Sequence, residues 1–331
     1  MTRIAFATVS MLGLLLGNSG VWAQNPRQRN RPEGPVYTDP ADAGPDFSTQ
    51  GEYLTDSAAA EKYGAQVIAL GDGKFEVVLL PGGLPGDGFE GKDRIKLTAA
   101  RQGDAVDLTA SGGYSGSISA GTLSLNTPQG TAQLKRIVRQ SPRAGAKPPE
   151  GAIVLFDGSN VDAWQNGKMD DRHLLDAGTK SKQKFQDFTL HVEFLLPFKP
   201  MARDQERGNS GIYMQDRYEV QILDTFGHGP EFNGCGSLYR QKSPLVDMCY
   251  PPLQWQTYDI EFHGAKFDAS GKKTQNATVT VNHNGVIVQD HYSITAKTGA
   301  GAREGPAPGP IQLQGHNNPV FFRNVWVVAG S

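Results

Sequence analysis

The chain has 331 residues, with 32 Lys+Arg against 34 Asp+Glu, a formal charge of −2, 40 glycines, 21 prolines and two cysteines. That length and turn-residue content suit one or two globular domains with room for a substantial core. The near-neutral balance gives no reason to expect nucleic acid or an anionic membrane as partner, and two cysteines alone are too few for a structural zinc site.

Residues 1–23 have the form of a secretory signal peptide. Arg3 supplies the positive start, 4–16 are apolar, and Val21-Trp22-Ala23 precedes Gln24 as a cleavage site. The apolar part is too short to span a bilayer. The mature protein is therefore expected to be exported, periplasmic or extracellular, with no membrane span. Residues 24–56 are rich in Pro, Arg, Asn and Asp without apolar periodicity, and are expected to form a disordered leader.

Residues 57–140 read as a small all-β domain. Strands are predicted at 66–70, 74–80, 94–99, 105–110, 116–119, 122–126 and 131–138, separated by Gly and Asp clusters. Asp72-Gly73 is a hairpin signal. Short strands at this spacing predict a small sandwich or barrel. Residues 141–150 (SPRAGAKPPE) lack periodicity, and Pro148-Pro149 stiffens them, as expected of an interdomain linker.

Residues 151–331 are again β-rich, with strands predicted at 152–156, 174–177, 188–196, 211–215, 218–223, 255–263, 277–283, 286–290, 309–314 and 320–328. Asn284-Gly285 marks a type I′ hairpin. Many strands with no helical periodicity between them predict a two-sheet β-sandwich. The whole is thus all-β, a small β domain followed by a sandwich. Cys235 and Cys249 lie close in sequence, and in an oxidising compartment they are candidates for a disulfide.

The stretch 209–224, NSGIYMQDRYEVQILD, has the alternation of a tight hairpin broken at Asp216-Arg217. Tyr218, Val220 and Ile222 share one face, and Glu219 and Gln221 the other. Similar alternation puts Thr189, His191 and Glu193 opposite a core face of Phe188, Leu190, Val192 and Phe194. It also puts Thr257, Asp259, Glu261 and His263 opposite Tyr258, Ile260 and Phe262. If these strands are neighbours, one sheet carries a broad face of carboxylates, amides and imidazoles, as a sugar site requires. A β-bulge would bring Asp224 beside Glu219. The spacing Glu219, Gln221, Asp224 loosely resembles the Glu-x-Asp-x-x-Glu strand of laminarinase-type glycosidases, with Gln and Asp replacing the last two acids.

The segments LFDGSNVDAW (155–164), FQDFTLHVEF (185–194) and GNSGIYMQDRYEVQILD (208–224) closely resemble the 3-keto-disaccharide hydrolase domain family. CGSLYRQ (235–241), PPLQWQTYDIEF (251–262), VTVNHNGVIV (279–288) and PVFFRNVWV (319–327) continue the resemblance in order. It does not cover the first β domain. The resemblance implies a concanavalin-like jelly roll acting on glycosides oxidised at C3. A 3-ketone acidifies the C2 proton, so that a base can remove it, the glycosidic oxygen leaves by β-elimination, and water adds to the enone. On that reading Glu219 is the base or a metal ligand, with Asp224, His191 and Glu193 as further catalytic candidates. Arg217, Gln221, Tyr213, Gln215, Trp255 and Tyr239 are expected around an oligosaccharide or glycoside substrate. A divalent metal would polarise the ketone, though no spacing demonstrates one. His283 and His316 are expected to be structural or loop residues. Two other readings stay open here: a non-catalytic carbohydrate-binding module, and a retaining glycosidase using Glu219 and Asp224, whose carboxyls would then lie about 5–5.5 Å apart.

Overall fold

Period-2 alternation and left-handed turn residues set the architecture from the first strands onward. The computed structural model describes residues 34–330 apart from 57, 60 and 92; the expected signal peptide and the leader before residue 34 lie outside the described residues. Helix α1 (Gly44–Thr49) leads into β1 (Gly51–Thr55), then β2 (Tyr63–Gly71) and β3 (Lys74–Pro81). A minor parallel ladder of β4 (Leu84–Pro85) and β5 (Gly88–Phe89) follows. Next come β6 (Ile95–Gln102), β7 (Ala105–Ser111), β8 (Tyr114–Ser119), β9 (Thr122–Thr127) and β10 (Gly130–Ile137). The order β1-β10-β9-β8-β7-β6-β3-β2 closes on itself, with every pair antiparallel, giving an eight-stranded up-and-down barrel.

Inward-facing Tyr53, Val67, Phe75, Val77, Leu79, Leu97, Leu123 and Leu134 fill the barrel's interior, as expected at this strand number. Asp72 and Gly73 both have positive φ, 54° and 67°, as their hairpin demands.

The segment 24–56 is not wholly a disordered leader. Residues 40–42 and 44–49 are helical, and β1 closes the barrel by pairing with both β2 and β10. Its short GEYLT run carries no local turn signal, because one of its partners lies some eighty residues further along the chain.

The second unit has β11 (Ile153–Phe156), β12 (Trp164–Gln165), β13 (Leu175–Asp176), β14 (Thr179–Phe185), β15 (Phe188–Leu195), β16 (Asn209–Met214), β17 (Tyr218–Leu223) and β18 (Trp255–His263). After a small ribbon of β19 (Lys266–Phe267) and β20 (Lys273–Gln275) come β21 (Ala277–His283), β22 (Val286–Ile294), β23 (Gly309–Leu313) and β24 (Phe321–Ala329). Two sheets form: β11-β24-β15-β18-β21-β22, with β13 beside β24, and β12-β14-β23-β16-β17. Between them lies one apolar core, with Leu190, Val192, Phe194, Ile260 and Phe262 from the first sheet and Ile212, Met214, Val220, Ile222 and Leu313 from the second. The protein is all-β, a small β-barrel followed by a jelly-roll β-sandwich. No helix among the described residues is long and apolar enough to cross a membrane.

Barrel and sandwich are packed together rather than merely tethered. Ile68, Val78, Leu80 and Leu84 on the barrel's outside join the sandwich core. Arg139 donates to both Glu52 oxygens, at 2.7 and 2.6 Å, and stacks over Tyr250 at 5.1 Å. The Pro/Gly-rich segment 141–150 lies against the outer face of the first sheet. Arg143 pairs with Asp259 at 3.1 Å, Gly145 N–H donates to Glu193 Oε1 at 2.6 Å, and Ala146 O accepts from Asn324 and Trp326.

Candidate active site

The β16/β17 hairpin builds the site. Gln215 and Asp216 take positive φ, 54° and 61°, turning the chain between the last ladder pair, Met214 and Tyr218. On β17, Tyr218, Val220 and Ile222 enter the core, so Glu219 and Gln221 point out, opposite Tyr213 and Gly211 in register. Tyr213 Oη donates to Glu219 Oε2 at 2.6 Å. Gly211 leaves the space the carboxylate occupies, since a Cβ there would collide with Glu219 Oε1. Set with its nitrogen toward Glu219, the Gln221 amide donates to Oε1 at 3.3 Å and to Ser210 O at 2.9 Å.

Two loop segments cover the outward edge of β17. Residues 236–239 run along it, with Gln221 N donating to Ser237 O at 3.0 Å and Tyr239 N to Glu219 O at 3.1 Å. From the other loop, Thr298 Oγ1 accepts the Glu219 N–H at 2.6 Å. Gly299 brings that loop against the acid: a Cβ there would stand 3.2 Å from the Tyr239 ring and 3.6 Å from Glu219 Oε2.

Glu219 is consequently only 2% exposed, and no cation hydrogen-bonds or ion-pairs with it among the described residues. Burial pushes its carboxyl up to about 7, against a smaller lowering by the Tyr213 hydrogen bond. Burial and the Glu219 charge push the Tyr213 phenol far above its ordinary value, so it remains a donor. The floor extends across the whole sheet. Glu219 faces Tyr213, Tyr213 faces Gln312, Gln312 faces Lys180, and Lys180 faces Gln165, one residue from each of five strands in register.

Tyr213, Glu219, Gln221 and Tyr239 thus come together as the sequence suggests, but the other candidates do not join them. Asp224 is held by Arg207, whose Nε and guanidinium amine donate to Oδ2 at 2.8 and 2.6 Å in a fully buried ion pair. The β16/β17 pairing runs without a register shift, so the bulge that would carry Asp224 beside Glu219 does not form.

His191, Glu193 and Trp255 lie on the other sheet, whose polar face points away from Glu219 across the core. The alternation was correct, but β15/β18 and β16/β17 are not neighbours. His191 Nδ1 contacts Asp259 at 2.8 Å and its ring stacks on Trp326 at 5.0 Å. Trp255 lies under the Arg323 guanidinium at 3.9 Å. Arg217 bonds Gln215 Oε1 at 2.7 Å and Ala307 O at 2.9 Å, and Gln215 Nε2 donates to Phe185 O at 3.1 Å. Both therefore fasten the turn rather than face a ligand.

Cys235 and Cys249 are buried free thiols. Cys235 Sγ is 3.1 Å from Tyr258 Oη and Cys249 Sγ donates to Leu223 O at 3.4 Å. Their sequence proximity places them together, but they pack as core groups without a bond. His283 is wholly buried between Phe194 and Tyr258, and burial pushes its imidazole down to about 3. His316 is exposed.

Gly211, Thr298, Gly299, Gln312 and Lys180 were not singled out from sequence. Gly211 alone carried a signal, because a glycine inside a strand often marks a close approach by another group.

Chemically, the arrangement offers an acid/base poised near neutrality, a phenol beside it and amides along a sheet face. Around Glu219 the neighbouring side chains are a phenol, amides and a hydroxyl, and no three His, Cys, Asp or Glu side chains among the described residues group to hold a metal ion.

Residues 151–328, more than half of the chain, match the model of the 3-keto-alpha-glucoside-1,2-lyase-like domain. The chain belongs to that family. A solved structure described as a putative glycosyl hydrolase from Parabacteroides distasonis ATCC 8503 is 34% identical, with 55% of this chain and 85% of that one covered and a TM-score of 0.50. A second from the same organism, also described as a putative glycosyl hydrolase, is 16% identical, covering 59% of this chain and 99% of that one at a TM-score of 0.40. No curated protein matches the chain. The protein is carbohydrate-active, an enzyme of glycosides.

Proposed function

We propose that the protein is an exported glycosidase that cleaves 3-keto-glycosides by elimination and hydration. The observation that carries this reading is Glu219: a buried carboxyl without a cation, brought to about 7, with the Tyr213 phenol 2.6 Å from it. Such a group is suited to take and return a proton near neutral pH.

Ionised Glu219 removes the C2 proton of the 3-keto sugar, and the electron pair moves into the C2–C3 bond and onto the C3 oxygen. On the same floor the Gln312 amide is a donor that can stabilise that oxyanion, and the Tyr213 O–H, no longer held by a carboxylate once Glu219 is protonated, is a second. Collapse of the enolate forms the C1–C2 double bond and breaks C1–O, and the departing oxygen takes the proton held by Glu219. Water then adds at C1 and a proton returns to C2, so the net change is hydrolysis.

A retaining mechanism needs a second carboxylate at the bond, and the ion pair of Asp224 with Arg207 withholds the one the sequence offered. Export is proposed from residues 1–23; N-terminal sequencing of the mature protein should begin at Gln24.

The function is tested by incubating the mature protein with a 3-keto-disaccharide and with its unoxidised parent, following products chromatographically. Release of a monosaccharide and a 3-keto-monosaccharide from the first alone is expected. Equal cleavage of the parent would defeat the reading.

A further inference from the structure

The polar floor beneath Glu219 does not stop at β16. Across the five strands of that sheet Glu219 is the sole acidic residue, whereas β14, three strands away, carries Lys180, Lys182 and Lys184. Register places Lys180 across from Gln312 and Lys184 across from Pro310, in rows that continue to Tyr213 and the hairpin turn. Between them β14 runs four residues for two on β23. Ser181 staples this irregularity, its Oγ accepting from Ile311 N at 3.0 Å and donating to Gln183 O at 2.6 Å. Ser181 opposes buried Trp164, so Lys182 emerges on the same outer face as Lys180 and Lys184.

Lysines on a sheet are commonly just solvated charge. What sets Lys182 and Lys184 apart is that, among the described residues, neither forms an ion pair, on a sheet whose strands carry a single acid. Lys180 alone has a carboxylate partner, Asp216 at 2.7 Å. No ion pair among the described residues reaches Lys182 or Lys184, both exposed. Arg217, near the same face, donates to an amide and a backbone carbonyl, not to a carboxylate.

We propose that Lys180, Lys182 and Lys184 form a basic subsite on the floor of the active face, which takes the charged group of an anionic glycan. The inference rests on reading Glu219 as the catalytic centre. Three strand spacings separate β14 from β17, about 14 Å, so the charge belongs to a sugar beyond the one over Glu219. Lysine ammonium groups are point charges that accept either a carboxylate or a sulfate.

The test is calorimetric binding to the Glu219→Gln full chain, so that no turnover is involved. The ligands are an oligogalacturonate, its methyl ester and a sulfated galactan oligomer. At low ionic strength at least one acidic oligomer should bind roughly tenfold tighter than the neutral ester, and the advantage should collapse in about 0.5 M salt. Whichever acidic oligomer shows the advantage identifies the group recognised. Adding Lys182→Gln/Lys184→Gln should erase the preference, while Lys266→Gln/Lys272→Gln, exposed lysines off this sheet, should keep it. Equal affinity for all three ligands, no binding to any, or a preference that survives in the strip variant would overturn the subsite. Because binding is read without cleavage, that failure would leave the 3-keto-glycoside reaction untouched, and failure of the reaction would not silence this experiment.

Discussion

Glu219 and Glu193 look alike in sequence, each a lone acid alternating with large apolar residues in a strand. Both are buried, at 2% and 0% exposure, each beneath chain that crosses the outer face of its sheet. Their surroundings make them opposites. Burial opposes ionisation of Glu193 too, yet His191, Asn324, the Gly145 N–H and Arg323 outweigh it and draw its carboxyl down to about 2. Glu219 has a phenol and an amide, and sits near 7. Glu193 is the saturated centre of a latch that fixes the chain between barrel and sandwich. Glu219 keeps proton-transfer capacity because its site leaves it under-compensated.

The contrast breaks most visibly at Glu193. Glu193→Ala strands the Gly145 N–H and Arg323 and is expected to lower stability by about 3 kcal/mol, read as a shift in the urea midpoint, with the turnover of folded enzyme kept. Lost turnover with unchanged stability would instead place chemistry on that face.

The folded-state pKa of Glu219 is raised above its ordinary 4.5 to about 7, so its contribution to stability is present at low pH and lost as pH rises through 7. The full difference corresponds to roughly 3 kcal/mol. Glu219→Gln removes that titration, and the variant should gain on wild type in urea melts between about pH 5 and 8. Parallel curves would mean that the carboxyl is not held near 7.

The smallest effect expected is that of Tyr213→Phe. It deletes the hydrogen bond that lowers the Glu219 pKa, so the acid limb of kcat/KM should move to higher pH. The rate should fall roughly tenfold to a hundredfold. An unmoved limb would separate Tyr213 from the acid.

The strand faces were legible because burial on one side imposes alternation: Tyr218, Val220 and Ile222 do line the core, and Glu219 does point away from it. Which strands are neighbours was not, since β16 joins β23 and β15 joins β24 through contacts about a hundred residues or more apart in sequence. Alternation alone therefore puts His191 and Glu193 on a face shared with Glu219, whereas the topology sets them on different sheets. Asp224 misled for a different reason. Its partner Arg207 precedes the hairpin, and no local pattern announces a buried ion pair. Strand β1 was missed because its register depends on the strand that closes the barrel.

The central claim is that Glu219 opens the C2–H bond of a 3-keto sugar, and cleavage in D2O tests it most directly. Wild-type protein should release a 3-keto-monosaccharide carrying deuterium at C2, above a no-enzyme control, and Glu219→Gln should release none. Cleavage with the original hydrogen retained at C2, or by the variant at the wild-type rate, would contradict it.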